Sequence, residues 1–262
     1  MHFKTLDFEV RNQVAYITLN RPDSANSMDV QMSLDLMHAS IECDENPDIR
    51  AVLITGNGKM FSAGGDLKSF LAAGDRIRHI VKEMTVYLHS AVSRFARMDP
   101  PVVMAVNGTA AGAGFSLAIS GDLVLAARSA KFTMAYTAAA LSPDGSSSYF
   151  LPRLVGLRRA QELMITNRVL TAETALDWGL VTQVHDNDVL LSEADKLVQS
   201  LAAGPTRAYG AVKSMLAETF TTGLEAQMER ESRFIADMMG TRDAQHGIES
   251  FLNKAKPSYE GR

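Results

Sequence analysis

At 262 residues, 46% apolar and 21% charged, the chain has the make-up of a globular protein with one full core or a core plus a small appendage. Its net charge of −4 gives no general attraction to nucleic acid, although a local basic cluster can still hold a phosphorylated ligand. No uncharged run reaches bilayer-spanning length. The single cysteine, Cys43, cannot close an intrachain disulfide, so with no signal segment after Met1 a cytoplasmic location without membrane or nucleic-acid partners is expected.

Residues 8–10 and 14–19 flank a polar Arg11-Asn-Gln13 turn and predict a hairpin. Residues 20–26 read as a loop, and 28–42 as a helix with Leu34, Met37 and Ile41 on one side. Asn46-Pro47 stops that helix before a strand at 51–55, giving a strand–helix–strand crossover. A loop through Gly74 leads into a helix over 75–98, with Ile77, Val81, Met84, Leu88, Ala91, Val92 and Phe95 as its buried stripe. Pro100-Pro101 closes it ahead of a strand at 102–106, a glycine turn, a helix and a strand at 123–127. This repetition predicts an α/β core of parallel strands with glycine turns at their ends. Residues 158–166 and 171–178 read as short helices, the second capped by Thr171. From Ser192 the chain is mostly helical, divided at Gly204-Pro205, with a last amphipathic helix from Gly240-Thr241; this tail is a candidate lid or oligomer contact.

Two glycine-rich turns, in 51–66 and 101–114, each follow a β-branched run and precede a helix. Such turns serve either tight helix–sheet packing or a site where unpaired backbone N–H groups converge on developing negative charge. Neither is a nucleotide loop: Met60 stands where Ser or Thr should follow Lys59, and Gly112-Ala-Gly114 lacks the G-x-G-x-x-G spacing. There is no G-x-S-x-G, C-x-x-C or H-E-x-x-H, and the six histidines lack ligand spacing, so no metal is expected. Asp66 suits a helix cap. Asp144, in Pro143-Asp144-Gly145, is either an ordinary turn residue or a proton carrier. In the second case Tyr136, Leu141 and Phe150 would enclose its carboxylate and raise its pKa.

Phe61-Ser-Ala-Gly-Gly-Asp-Leu67, Ala105-Val-Asn-Gly-Thr-Ala-Ala-Gly-Ala-Gly114, Leu151-Pro-Arg-Leu-Val-Gly156, Arg158-Arg-Ala-Gln-Glu-Leu163, the 171–181 segment and Phe251-Leu-Asn-Lys254 occur in telling order. Together they resemble the crotonase, or enoyl-CoA hydratase/isomerase, superfamily over nearly the whole chain. The resemblance implies an α/β spiral of ββα units over 1–200 and a C-terminal helical region, 201–262, that builds a homotrimer or a dimer of trimers. It implies an acyl-CoA substrate, with coenzyme A as part of that substrate and no permanent cofactor. The oxyanion hole maps onto the N–H groups of Gly65 and Ala113. Lys59, Phe61, Ala63, Gly65, Asp66 and Leu67 are implied to border the coenzyme A moiety, joined by Phe251 and Lys254 from a terminal helix, often a neighbouring subunit's.

Hydratases of the superfamily use two glutamates, and here Ser116 and Tyr136 stand at those positions. Asp144 matches instead the carboxylate of the phenylacetate-pathway isomerase branch, which implies a base that carries an allylic proton from one carbon to another. The 4-chlorobenzoyl-CoA dehalogenase branch implies an alternative, with Asp144 as nucleophile and His89 activating water, and Tyr136 where that branch has tryptophan. Thioester hydrolysis by the same pair, hydration by a non-standard acid/base set, and a catalytically inactive acyl-CoA-binding scaffold are further alternatives.

Overall fold

The predicted hairpin forms between β1 (Leu6–Arg11) and β2 (Val14–Leu19), with Asn12 and Gln13 both at positive φ in the turn. Two such residues give the turn whose twist matches paired strands. The structure, a computed structural model, describes residues 2–261.

Three strand pairs follow: β3 (Ala51–Gly56) with β4 (Met60–Ser62), β5 (Val102–Val106) with β6 (Thr109–Ala111), and β7 (Leu123–Ala127) with β8 (Lys131–Thr133). The first member of each pair enters a six-stranded sheet and the second enters a smaller sheet, so the chain spirals. With β9 (Leu170–Thr171) and β10 (Gln183–His185), the orders are β1-β2-β3-β5-β7-β10 and β4-β6-β8-β9. Pairing is parallel except for β1 with β2 and β8 with β9. The ββα units implied by the resemblance are therefore present. Residue patterning alone missed β4, β6 and β8, because three residues are too few to display a period of two.

The helices are α1 (Val30–Glu45), α2 (Leu67–Ala72), α3 (Ile77–Arg97), α4 (Ala113–Ala118), α5 (Ser147–Val155), α6 (Leu157–Thr166), α7 (Ala172–Asp177), α8 (Leu190–Ala202), α9 (Thr206–Glu218), α10 (Leu224–Met239) and α11 (Arg242–Leu252). Two predicted faces need correction. On α1 the buried residues are Met32, Leu36, Ala39 and Cys43 together with Ser33, Asp35 and Ser40, whereas Leu34, Met37 and Ile41 are half-buried. This helix packs along α3 on one side and the core on another, so a single stripe does not describe it. On α3 the stripe is buried only from Met84 onward; Ile77 is exposed and Val81 half-buried, so the first turns project past the core. Burial pushes the Cys43 thiol well above its ordinary pKa, which fits a packing role rather than a nucleophile.

The tail is anchored by buried cations that no pattern reveals. The Lys213 ammonium on α9 donates to Phe95 O at 2.8 Å, Pro100 O at 2.9 Å and Asp122 Oδ2 at 2.8 Å, filling its three donor positions at the end of α3. Arg50 reaches Thr206 Oγ1 at 3.2 Å and Tyr259 O at 2.9 Å. Asp243 accepts the Glu260 and Gly261 N–H groups at 2.7 and 2.8 Å, folding the last residues back. Among the described residues, no helix is long and apolar enough to cross a membrane, and no group of three or more His, Cys, Asp or Glu could hold a metal ion.

Candidate active site

The two glycine-rich turns meet. Gly64 has φ +91°, and a Cβ placed on it would lie 2.7 Å from Ala111 O and 3.0 Å from Ala113 N. Only glycine permits both that dihedral and that approach. Asn107 links the turns from the side, accepting Gly56 N–H at 3.1 Å and donating to Gly58 O at 3.0 Å.

The orientation of Gly65 follows from its neighbours. Met28 N–H donates to Gly64 O at 2.7 Å, and Asp66 N–H donates to Met28 O at 2.9 Å, a parallel bridge centred on Gly65. In extended backbone, the N–H of the central residue then faces away from that bridge. Gly65 N–H has no acceptor among the described residues. Ala113 opens α4, so its N–H has no partner within the helix, and none is found elsewhere among the described residues. Its predecessor Gly112 is fixed by donating to Thr133 O at 3.1 Å. Two free N–H groups thus sit on two adjoining, well-held turns.

Asp66 takes the predicted capping role, accepting Ser69 N–H at 3.1 Å at the start of α2. Asp29 caps α1 in the same way through Met32 N–H at 2.8 Å. Between them Arg21 Nη2 lies 3.0 Å from Asp66 Oδ2 and 3.1 Å from Asp29 Oδ2, and Nη1 donates to Ser27 O. One guanidinium therefore ties both caps beside the Met28–Gly65 bridge. Burial alone would raise the Asp66 carboxyl, but Ser69 N–H and Arg21 outweigh it and hold the group below the ordinary carboxylate range. Sequence reading missed Arg21, Asp29 and Met28; the one available hint was an arginine in a loop otherwise lacking apolar anchors.

Asp144 lies in the turn before α5. Its Oδ1 accepts the Tyr136 hydroxyl at 2.6 Å, and Tyr136 Oη is also 3.1 Å from Ser116 Oγ on α4. Ser116 Oγ in turn donates to Gly112 O at 3.3 Å. A hydrogen-bonded chain consequently runs from the Gly112–Ala113 turn to the Asp144 carboxylate. The turn is seated tightly, for a Cβ on Gly145 (φ +61°) would lie 3.0 Å from Ser116 Cβ. At the two positions where the resemblance implies glutamates, Tyr136 holds the Asp144 carboxylate and Ser116 braces Tyr136.

The enclosure of Asp144 expected from Tyr136, Leu141 and Phe150 is partial. Tyr136 touches the carboxylate through its hydroxyl, Leu141 is exposed, Phe150 is half-buried, and the Asp144 side chain keeps 27% of its surface accessible. Burial, reinforced by the Asp144 charge, pushes the Tyr136 hydroxyl far above its ordinary pKa, so it remains a donor. His89, on α3, does approach, with Nε2 3.5 Å from Asp144 Oδ2. Gly145 N–H donates to that same Nε2 at 3.2 Å, which places the neutral imidazole's proton on Nδ1.

Of the residues expected to border coenzyme A, Lys59 and Leu67 are exposed and Ala63 is half-buried. Phe61 is fully buried, so its ring belongs to the core. Phe251 is 83% exposed, and Lys254 lies exposed just beyond the end of α11; neither makes a hydrogen bond or ion pair to residues 59–67 among the described residues. A cavity of about 270 Å³ lies elsewhere, between α9, α10 and α11, lined by Pro205, Ile235, Met238, Met239, Ile248 and Tyr259 among others.

Residues 9–262 match the model of the enoyl-CoA hydratase/isomerase family. The chain is 36% identical over 256 residues to the 1,2-epoxyphenylacetyl-CoA isomerase of Escherichia coli strain K12, covering 97% of each protein. It is 32% identical over 236 residues to 4-chlorobenzoyl coenzyme A dehalogenase-2 of an Arthrobacter species, covering 90% of this chain and 86% of that protein. Among solved structures, an enoyl-CoA hydratase from Polaromonas sp. JS666 superposes with a TM-score of 0.92 at 32% identity, covering 97% of this chain and 99% of the other.

Proposed function

Because the chain belongs to the enoyl-CoA hydratase/isomerase family, we propose that it acts on an acyl-CoA thioester and shifts a double bond along an enoyl group. In this reading Gly65 and Ala113 donate their N–H groups to the thioester oxygen. Asp144 removes an allylic proton, the electron pair delocalises onto that oxygen as a dienolate, and Asp144 returns the proton at the other end. No atom is gained or lost. Each oxyanion donor contributes about 3–4 kcal/mol to such a transition state, because the backbone dipole is aimed before charge develops.

The observation that carries the reading is the chain from Gly112 O through Ser116 and Tyr136 to Asp144. It brings a single carboxylate to the turn that bears a free N–H, while the positions used by two-glutamate hydratases hold a serine and a tyrosine. Neither hydroxyl can serve as a base near neutral pH, and the raised Tyr136 pKa makes this plainer still. The segment 59–67 borders the coenzyme A moiety through its backbone and exposed side chains. Phe251 and Lys254 complete that border from a neighbouring subunit of a trimer or paired trimers. Exposed Leu224, Met228 and Ile235 on α10 support the oligomer.

A second reading has one observation in its favour: His89 stands 3.5 Å from Asp144 Oδ2, the arrangement that halobenzoyl-CoA dehalogenation needs. Gly145 N–H occupies the same Nε2, which weighs against water activation there. The test is incubation with 2-enoyl-, 3-enoyl- and 4-halobenzoyl-CoA esters, with products identified by mass spectrometry. Double-bond migration is expected, falling by about 10²-fold or more in Asp144→Asn without loss of folding. A hydroxybenzoyl product would establish the second reading, and an unaffected Asp144→Asn rate would remove Asp144 from the mechanism.

A further inference from the structure

We propose that Tyr136 is a positioning residue that gives the two oxygens of Asp144 different tasks: Oδ1 is held by the phenol, and Oδ2 alone carries the proton. This rests on the reading of Asp144 as the proton carrier.

Proton counting supports it. An ionised carboxylate only accepts, so the 2.6 Å contact must be donated by the Tyr136 hydroxyl. That hydroxyl has one proton; once it is given to Oδ1, the oxygen can only accept from Ser116 Oγ at 3.1 Å. The Ser116 proton is shared between Tyr136 Oη and Gly112 O, which anchors the phenol to α4. The contact length is that of a charge-assisted O–H···O⁻ bond.

His89 from α3 and Tyr136 from the segment after β8 face the carboxylate, Ser116 from α4 backs the phenol, and Ser147 of α5 holds the Asp144 carbonyl at 2.9 Å. His89 and Tyr136 are the titratable side chains facing the carboxylate, and Gly145 N–H already occupies His89 Nε2 at 3.2 Å. Oδ2 is thus the oxygen without a donor, open on the 27% of the side chain left accessible.

Two consequences follow. A donated hydrogen bond favours the ionised carboxylate over the protonated acid, so its loss is read in the pH dependence of turnover. It also stops the carboxylate from turning about its terminal torsion, so its loss lowers the rate of proton transfer more than substrate binding.

Tyr136→Phe keeps the ring and removes only the hydroxyl. We expect kcat to fall about 10- to 100-fold with KM nearly unchanged, the range for losing a hydrogen bond to a charged group. The acid limb of the kcat/KM–pH profile should move to higher pH. Ser116→Ala should shift both in the same direction by less, and serves if Tyr136→Phe does not fold. Running the profiles in a His89→Gln background removes the other titrating neighbour. The Asp144 carboxyl is also followed by carbon NMR titration, assigned by its disappearance in Asp144→Asn, which requires no turnover. An unmoved carboxyl titration and limb, with either a wild-type kcat or a rise in KM and lower thermal stability, would overturn the proposal. Absence of isomerisation by the wild-type protein, with the titration still shifted by Tyr136→Phe, would instead sink the functional reading alone.

Discussion

Helices α4 and α10 are opposite outcomes of the same folding process. All six residues of α4, from Ala113 to Ala118, are buried, and the helix packs against β4, β6 and α5. None of the sixteen residues of α10 is buried, although Leu224, Met228 and Ile235 are apolar and more than half exposed. The first helix has its orientation fixed by the single chain, so it can present a backbone N–H with accuracy. The second is held by α9, through Gln227 donating to Met215 O and Arg230 pairing with Glu218, and leaves an apolar face exposed. The backbone is fixed within the single chain where burial is complete, and apolar surface stays open where it is not.

The most damaging small change should fall where the buried turns touch. In Gly64→Ala the new methyl group meets Ala111 O at 2.7 Å and Ala113 N at 3.0 Å, with φ +91° unfavourable for any L side chain. The two turns must separate, and the Gly65 and Ala113 N–H groups separate with them. Activity should fall by about 10²- to 10³-fold, the scale of one lost oxyanion donor, and stability by about 1–3 kcal/mol from local strain. Steady-state kinetics and thermal melting on the same preparation measure both. A fully active Gly64→Ala would break the link between turn contact and chemistry.

The α10 face provides the next test. Met228→Glu with Ile235→Glu places two charges on its exposed apolar surface. Light scattering should show the mass falling from an oligomer to a single chain, because an unpaired buried charge is costly at an interface. Melting of the separated chain should change by less than about 0.5 kcal/mol, since neither residue is buried within it. A wild-type protein that is already monomeric would mean that α10 stands finished as it is.

Both regions carried signals in the sequence, but of different kinds. The glycine turns, the individual longer strands, the Thr171 and Asp66 caps and the start of the last helix near Thr241 were legible because each depends on residues close together in the chain. The burial of α1 on more than one side was not, since it depends on what α3 and the sheet bring from elsewhere. The same limit hid Arg21, whose two carboxylate partners lie 8 and 45 positions away, and Lys213, whose partners close over it from the end of α3 and from Asp122. Ser116 was legible only as a missing glutamate, and Tyr136 as a missing glutamate and a neighbour of Asp144; the hydrogen bonds from Ser116 through the phenol to the carboxylate needed coordinates, because a hydroxyl's partner cannot be read from its spacing.

The smallest expected effect sharpens the contrast by making a similar exchange in the open region. Gly223 occupies the N-cap position of α10 with φ −71° and ψ 158°, an extended conformation that any residue adopts, and no side chain caps this helix. A Cβ there would meet nothing within 4 Å, in contrast to Gly64. In Gly223→Ser the hydroxyl can accept an N–H of the first turn, worth a few tenths of a kcal/mol over glycine. The unfolded chain also loses some of glycine's freedom, which adds about 0.4–1 kcal/mol. Together these should raise the melting temperature by about 1–4 °C in a chain of this size, with kcat and KM unchanged. A lower melting temperature, or dissociation of the oligomer, would mean that the space around Gly223 is filled by a neighbouring subunit, and that the unfinished face of α10 extends to its first turn.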